Sequence, residues 1–441
     1  MTELNQNVEM ICENVARDDN NSLLFAGQSV TRLAKKYGTP LYLYDENRIR
    51  ERIRTYLDAV NRGFSGKGKV LYASKAASFK RIYEIMREEG AGIDVVSQGE
   101  IYTAYIAGFP LERAYFHSNN KTDSDIEYAI KMGVGAFVVD NEEELFAIDR
   151  ISRELSCRSR VLLRLTPGID PHTYEAVSTG KVDSKFGSAI ETGQAEKITR
   201  LALSLENITL RGFHCHVGSQ VFDSDVYIRA AEVMLDFINH IYRSYGFLSP
   251  ELDIGGGYGV RYTSLDTTID IEANILLVAE FMKDYSNKLG IALPEISFEP
   301  GRSIVADAGM TVYTVGTVKR IPGYKNYVSV DGGMTDNPRF ALYGSKYTVL
   351  SVDTPSDRCE MIASVVGRCC ESGDIIQENV RLPENISRGD FIATLTTGAY
   401  NYSMASNYNR IARPAVVMLY NGDTYLAVRR ETIEDIVRLD V

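Results

Sequence analysis

The sequence predicts an α/β-plus-β protein: a parallel (β/α)8 barrel followed by a mostly antiparallel β domain. Three observations predict it. Short apolar or β-branched runs recur along roughly the first three hundred residues, with helical segments between them. After about Val312 such runs are separated by Gly, Pro, Asn and Asp instead. The 441 residues also exceed what one ordinary core holds, so two domains are expected.

Taken in order, Leu23–Phe25 and Leu41–Tyr44 come first and are expected to join the β domain from the other end of the chain. Barrel strands are expected at Val70–Lys75, Gly92–Val96, Ala114–His117, Gly135–Val139, Val161–Leu165, Leu210–His216, Leu252–Ile254 and Ile296–Phe298. The intervening segments carry helical punctuation. Lys80–Glu89 places Ile82, Tyr83, Ile85 and Met86 on one stripe and stops at Gly90. Ser97 to Glu100 reads as a capping box opening a helix that stops at Gly108. Thr122–Met132 ends at Gly133, and Asn141 opens another helix with Glu142, Glu143 and Glu144 at the positive end of its dipole. An open doubly wound sheet competes with the barrel, but the number of units and the near-continuous apolar strands favour closure. Further strands are expected at Thr311–Arg320, Tyr327–Asp331, Glu360–Gly367, Asp390–Thr397, Ala415–Leu419 and Thr424–Arg429. The division is therefore 1–45, an N-terminal segment joining the β domain; 46–308, the barrel; and 309–441, the C-terminal β domain.

Composition excludes several classes. Apolar residues make up 44% and charged residues 24%, which is globular usage. The net charge of −11 without a basic run argues against nucleic-acid binding. No window is long and apolar enough for a membrane span or signal peptide. The cysteines, six in all, are too irregularly spaced for a disulfide framework, which reads as reduced thiols in a cytoplasmic protein.

Chemistry in such a barrel lies at the carboxyl ends of the strands. Those ends carry Lys75, Asp94, His117, Asp140, Arg164, His214 with His216, Gly255-Gly256-Gly257, and Glu299 with Arg302. Lys75 is either a lysine reaching solvent or a desolvated nucleophile toward an aldehyde. The glycine triplet is either a bare turn or an anion cradle, to which Arg302 adds a cation. His214 and His216 share one strand face, but no third ligand has convincing metal spacing, so no metal site is expected. A core histidine or an imidazole plate against a flat ring are the other readings. Glu299 is either part of a structural turn or the partner of a protonated pyridine nitrogen. Cys369-Cys370-Glu371-Ser372-Gly373-Asp374 reads as a turn that can expose one thiol. A Schiff-base lysine, a phosphate cradle, a stacking plate and a carboxylate for a ring nitrogen together describe pyridoxal 5'-phosphate.

The segments YASKA (72–76), DVVSQGE (94–100), SKFG (184–187), HCHVGSQ (214–220), DIGGG (253–257), EPGR (299–302), DGGMTD (331–336), RFALYG (339–344), CESGD (370–374) and GAY (398–400) carry a resemblance. In them the chain resembles the fold-type III pyridoxal-phosphate decarboxylases, most closely the diaminopimelate decarboxylase family. The lysine and glycine segments are shared with ornithine and arginine decarboxylases; CESGD and RFALYG are more specific. Phe340 stands where the family commonly has proline, which removes no functional group.

The resemblance implies an alanine-racemase-type barrel and a homodimer with shared active sites. It implies that Lys75 carries the cofactor, Asp94 lies beside it and His216 stacks on its ring. Ser219 and Gly256 serve its phosphate side, and Glu299, with Pro300 and Gly301 in the same segment, meets the ring nitrogen. Arg302, Arg339, Tyr343 and Glu371 hold the far end of an amino-acid substrate, with Tyr400 at the cofactor. Cys370 is implied to be the proton donor, supplied by the other subunit. The implied reaction is decarboxylation of meso-2,6-diaminopimelate at its D-centre to L-lysine and CO2. Its rivals are a decarboxylase of carboxynorspermidine, a siderophore precursor or another basic amino acid; a silent regulatory paralogue; and a racemase. A carboxylate at the ring nitrogen disfavours the racemase, which is better served by a weaker electron sink such as an arginine partner.

Overall fold

The computed structural model describes residues 11–169 and 185–441. Residues 1–10 and 170–184, the latter ending on Ser184 of the SKFG segment, lie outside the described residues. The chain divides into two compact units. One comprises Arg52–Gly259 and Thr268–Ser303; the other comprises the described residues up to Glu51, Val260–Thr267 and Ile304–Val441.

In the first unit, eight parallel strands run in chain order around a ring: Gly68–Ala73, Gly92–Val95, Ala114–Phe116, Ala136–Val139, Ser159–Thr166, Ile208–His214, Glu251–Asp253 and Glu295–Phe298. The eighth returns to the first through Ile296↔Gly68 and Phe298↔Val70. The sheet is therefore a closed barrel rather than an open doubly wound one. A short strand, Ser188–Ala189, continues the fifth strand's edge. Leu71, Tyr115, Ala136, Val138 and Leu162 pack together as one buried cluster within this unit.

Local signals place the helices well. Gly90 and Gly133 end their helices in the left-handed conformation, and Thr122 with Asp125 forms a complete capping box. Ser97 caps its helix by accepting from Glu100 N, but the Glu100 carboxylate reaches back to Val96 N at 2.8 Å, one residue before the cap. The helix after Asn141 carries Glu142, Glu143 and Glu144 in its first turn as expected, and Glu144 is in addition buried, with its Oε1 2.7 Å from the equally buried Lys121 Nζ. Lys121 also donates to Val138 O and Ser118 O, and Glu144 Oε2 accepts from Asp140 N, so the pair braces the loops after strands three and four.

In the second unit, the twelve-residue strand Gly309–Arg320 is the hub. Its first half pairs antiparallel with Leu41–Asp45 and Phe391–Leu395, and its second half with Asn326–Val330. Two pairings are parallel, Asn326–Val330 with Met361–Val366 and Leu41–Asp45 with Ala415–Tyr420, so the sheet is mostly rather than wholly antiparallel. Leu23–Phe25 does not enter this sheet. It forms a three-stranded sheet with Val15–Arg17 and Gln28–Ser29, packed into the same buried cluster as Leu41, Met310 and Val417. The strands Val349–Ser351 and Ile375–Leu382 escape the sequence reading. The latter, IIQENVRL, interleaves Gln, Glu, Asn and Arg with its apolar residues and has no continuous apolar run. Among the described residues no helix is long and apolar enough to cross a membrane.

Candidate active site

The two ends of the barrel treat their polar groups differently. At the amino-terminal end, Glu251 accepts from Tyr115 Oη at 2.7 Å and Arg211 Nε at 2.8 Å, with Lys69 Nζ at 3.5 Å. Each of these groups has a partner. At the carboxyl end, Asp94, His117, Asp140, His214, Asp253 and Glu299 are all buried. There Asp94 Oδ1, Asp140 Oδ1 and His214 Nδ1 have no hydrogen-bond partner within the protein. Buried polar atoms are rarely left unpaired, so this end is built to receive a polar ligand.

The first strand stops at Ala73, and Lys75 sits on the 3-10 turn Ser74–Ala76 instead of in the strand. Its side chain is exposed between buried Ser74 and Ala76. The Tyr72 hydroxyl clamps this turn by bonding both Ala77 N and Ala77 O at 3.0 Å. The segment after strand eight lies against it, with Ala73 N donating to Pro300 O at 3.0 Å. A Cβ on Gly301 would stand 2.9 Å from Ala73 Cβ and 3.1 Å from Ala73 O, so the packing requires glycine there.

Glu299 is the centre of the buried group. His214 Nε2 donates to its Oε2 at 3.0 Å, and His117 Nε2 lies 2.7 Å from Oε1, though poorly directed for a hydrogen bond. Burial acts to raise the Glu299 carboxyl, but the charge and hydrogen bonding of the two rings outweigh it and hold the group well below the usual carboxylate range. Asp253 goes the other way: burial and then the neighbouring Glu299 charge push it well above that range. Asp94 is also raised by burial, against the opposing charges of His117 and Lys75. His117, His214 and Glu299 offer ligand atoms within 4.8 Å of one another. The pair weighed for a metal on sequence grounds was His214 with His216; the fold instead brings His214 to His117. Sequence reasoning gave His117 no role. Its only signal was its position at a strand end.

His216 follows strand six, not within it, and its Nδ1 accepts from Gly256 N at 3.3 Å. A Cβ on Gly256 would lie 2.1 Å from Glu299 O. The glycine is thus needed for chain packing, whatever else its backbone binds. Arg302 is buried and directs Nε and Nη2 to Ser219 Oγ at 3.3 and 3.0 Å, which puts a guanidinium and a hydroxyl together in the barrel unit.

Lys75, Asp94, His216, Ser219, Gly256, Glu299, Pro300, Gly301 and Arg302 all fall in the barrel unit; Arg339, Tyr343, Cys370, Glu371 and Tyr400 fall in the other. There the Arg339 guanidinium lies 5.4 Å from the Tyr343 ring centroid and 5.3 Å from that of Tyr400. Arg339 is buried and its Nε has no acceptor within the protein. Tyr400 has φ 62°, a left-handed conformation uncommon for a bulky residue. Cys370 and Glu371 are exposed. Their loop is shaped by Asp374, which accepts from Met334 N at 2.6 Å and Cys369 N at 2.7 Å, while Cys370 N donates to Asn409 Oδ1 at 2.9 Å. Burial and then Asp374 push the Cys369 thiol up to about 12, and of the two neighbours Cys370 is the exposed one.

Residues 46–306 match the family described as pyridoxal-dependent decarboxylase, pyridoxal binding domain. The diaminopimelate decarboxylase of Bacillus subtilis (strain 168) is 44% identical over 426 residues, covering 96% of each chain. The chain belongs to the diaminopimelate decarboxylase family. Among solved structures, the M. jannaschii diaminopimelate decarboxylase in co-complex with L-lysine superposes with a TM-score of 0.89 at 32% identity, covering 98% of both chains. That of Helicobacter pylori complexed with L-lysine gives 0.84 at 32% identity, over 93% of this chain and 98% of that one. Relationship to the diaminopimelate decarboxylases thus spans both units, including the RFALYG and CESGD segments.

Proposed function

We propose that this chain catalyses the pyridoxal-phosphate-dependent decarboxylation of meso-2,6-diaminopimelate at its D-centre, releasing L-lysine and CO2 in the last step of lysine biosynthesis. The observation that carries the reading is the unpaired, carboxylate-rich carboxyl end of the barrel, with Glu299 held anionic, in a chain related over its length to diaminopimelate decarboxylases. When bound, pyridoxal phosphate supplies an aldehyde for amines and a ring that accepts electrons from the bond being broken.

The chain's own residues do the rest. Lys75 Nζ would be the attachment point for that aldehyde, with Asp94 beside it. Glu299 keeps a proton on the ring nitrogen, His216 lies against the ring face, and Ser219, Gly256 and Arg302 serve the phosphate side. Pro300 and Gly301 seat the Lys75 turn. Arg339, with Arg302, Tyr343 and Glu371, holds the distal amino-acid group of the substrate, and Tyr400 lies at the cofactor. The acceptor-free Nε of buried Arg339 supports a carboxylate partner, because a substrate lacking that group leaves the donor unpaired. Cys370 Sγ, contributed by the partner of a cytoplasmic homodimer, gives a proton to the carbon that loses CO2.

The protein supplied with pyridoxal phosphate should form L-lysine and CO2 in equal amounts from meso-diaminopimelate. It should turn over L-lysine and L-ornithine roughly a hundredfold less efficiently or worse. Comparable turnover of those amines, or of carboxynorspermidine, overturns the substrate assignment. Arg339→Lys retains charge but loses the planar fork. KM for diaminopimelate should rise roughly tenfold or more, with the visible spectrum of the cofactor unchanged. A collapsed spectrum with unmoved KM would assign Arg339 to the cofactor or the fold.

A further inference from the structure

We propose that His117 and His214 are positioning residues that clamp the Glu299 carboxylate, one imidazole Nε2 on each oxygen, so that of three buried carboxyls at the barrel mouth Glu299 alone carries the charge presented to a ring nitrogen. The proposal rests on the reading of Glu299 given above and deepens it.

Asp94, Asp253 and Glu299 are 1%, 0% and 8% exposed, too dry a setting for three neighbouring carboxylates to ionise together. Donors therefore decide which one does. Asp253 has one such donor, Gly255 N at 2.7 Å from Oδ1, and no imidazole, so burial and the neighbouring Glu299 charge keep it above the usual carboxylate range. Glu299 Oε2 is hydrogen-bonded to His214 Nε2 at 3.0 Å, and His117 Nε2 stands 2.7 Å from Oε1, close enough to bear on its charge though off the line of a hydrogen bond. These side chains come from the ends of strands three, six and eight, which are not neighbours in the ring, so the clamp spans the barrel mouth. The two imidazoles also meet edge to face, with ring centroids 5.0 Å apart. His214 Nδ1 is buried and has no partner. A proton there would be an unpaired buried donor, which leaves the proton on Nε2, facing Glu299.

The test separates the clamp from the cofactor reading. In cofactor-free protein, side-chain 15N spectra should show a proton on Nε2 of both rings, and Glu299→Gln should shift both. With cofactor added, His117→Phe should raise the dissociation constant of pyridoxal phosphate and lower kcat, each roughly tenfold or more, while His117→Gln, which keeps a donor, stays near wild type. KM for the substrate should not move in either. Ring signals indifferent to Glu299→Gln, or equal damage from Phe and Gln, would overturn the clamp and leave His117 a space-filling residue. Should borohydride fail to label Lys75 in the wild type, the cofactor reading falls, and the cofactor-free spectra still decide the clamp.

Discussion

Lys75→Ala should lose the visible absorbance of the cofactor-loaded protein, the covalent label left by borohydride reduction, and turnover by about a thousandfold or more, equivalent to about 4 kcal/mol of barrel-mouth catalysis. The reason is positional. Lys75 stands on a turn whose backbone is fixed by Tyr72 and by the Pro300-Gly301 segment beside it. Folding should survive the substitution, because the side chain is exposed and not part of the core. Peptide mapping of the reduced wild type gives the decisive control. Lys185, the other lysine in a family segment, lies over the Phe186 ring at 4.9 Å. Label on Lys185, or retained label in Lys75→Ala, would overturn the assignment.

Mixing two inactive proteins should restore activity. Lys75 and Cys370 belong to different units of the chain, and the proposed homodimer lets each subunit lend Cys370 and Glu371 to the other's Lys75. Lys75→Ala and Cys370→Ala should each be nearly inactive. After subunit exchange about half the dimers are heterodimers, each with one intact site, so about a quarter of wild-type activity should return. A site built within one chain cannot recover, since every chain still lacks one of the two groups. Absence of recovery after demonstrated exchange would assign Cys370 to its own chain. Cys370 suits the role by its exposure.

Much of this is legible in the sequence. The barrel's strands and helices announce themselves through residues close in sequence: Gly90 and Gly133 take left-handed stops, Thr122 and Asn141 cap the turns after them, and apolar runs mark the buried strands. Charge pattern and hydrogen-bond reach over three or four residues are enough to specify such elements. The same locality explains the misses. Ile375–Leu382 is a strand because Met361–Val366 pairs with it, although its own residues lack an apolar run. Glu144 is the first-turn carboxylate its position implies, but its buried partner Lys121, twenty-three positions earlier, is out of local reach.

For the site, the sequence alone determined the chemical inventory: an amine, carboxylates, imidazoles, glycines and a thiol, set at strand ends and in segments that resemble one family. Tertiary structure decided what those groups do to one another. Closing the ring brings His117, His214 and Glu299 together from three strands that are not neighbours, and that meeting settles which carboxyl stays charged. A pKa depends on distance and burial, and for residues 85 and 182 positions apart in the chain both are set only when the barrel closes.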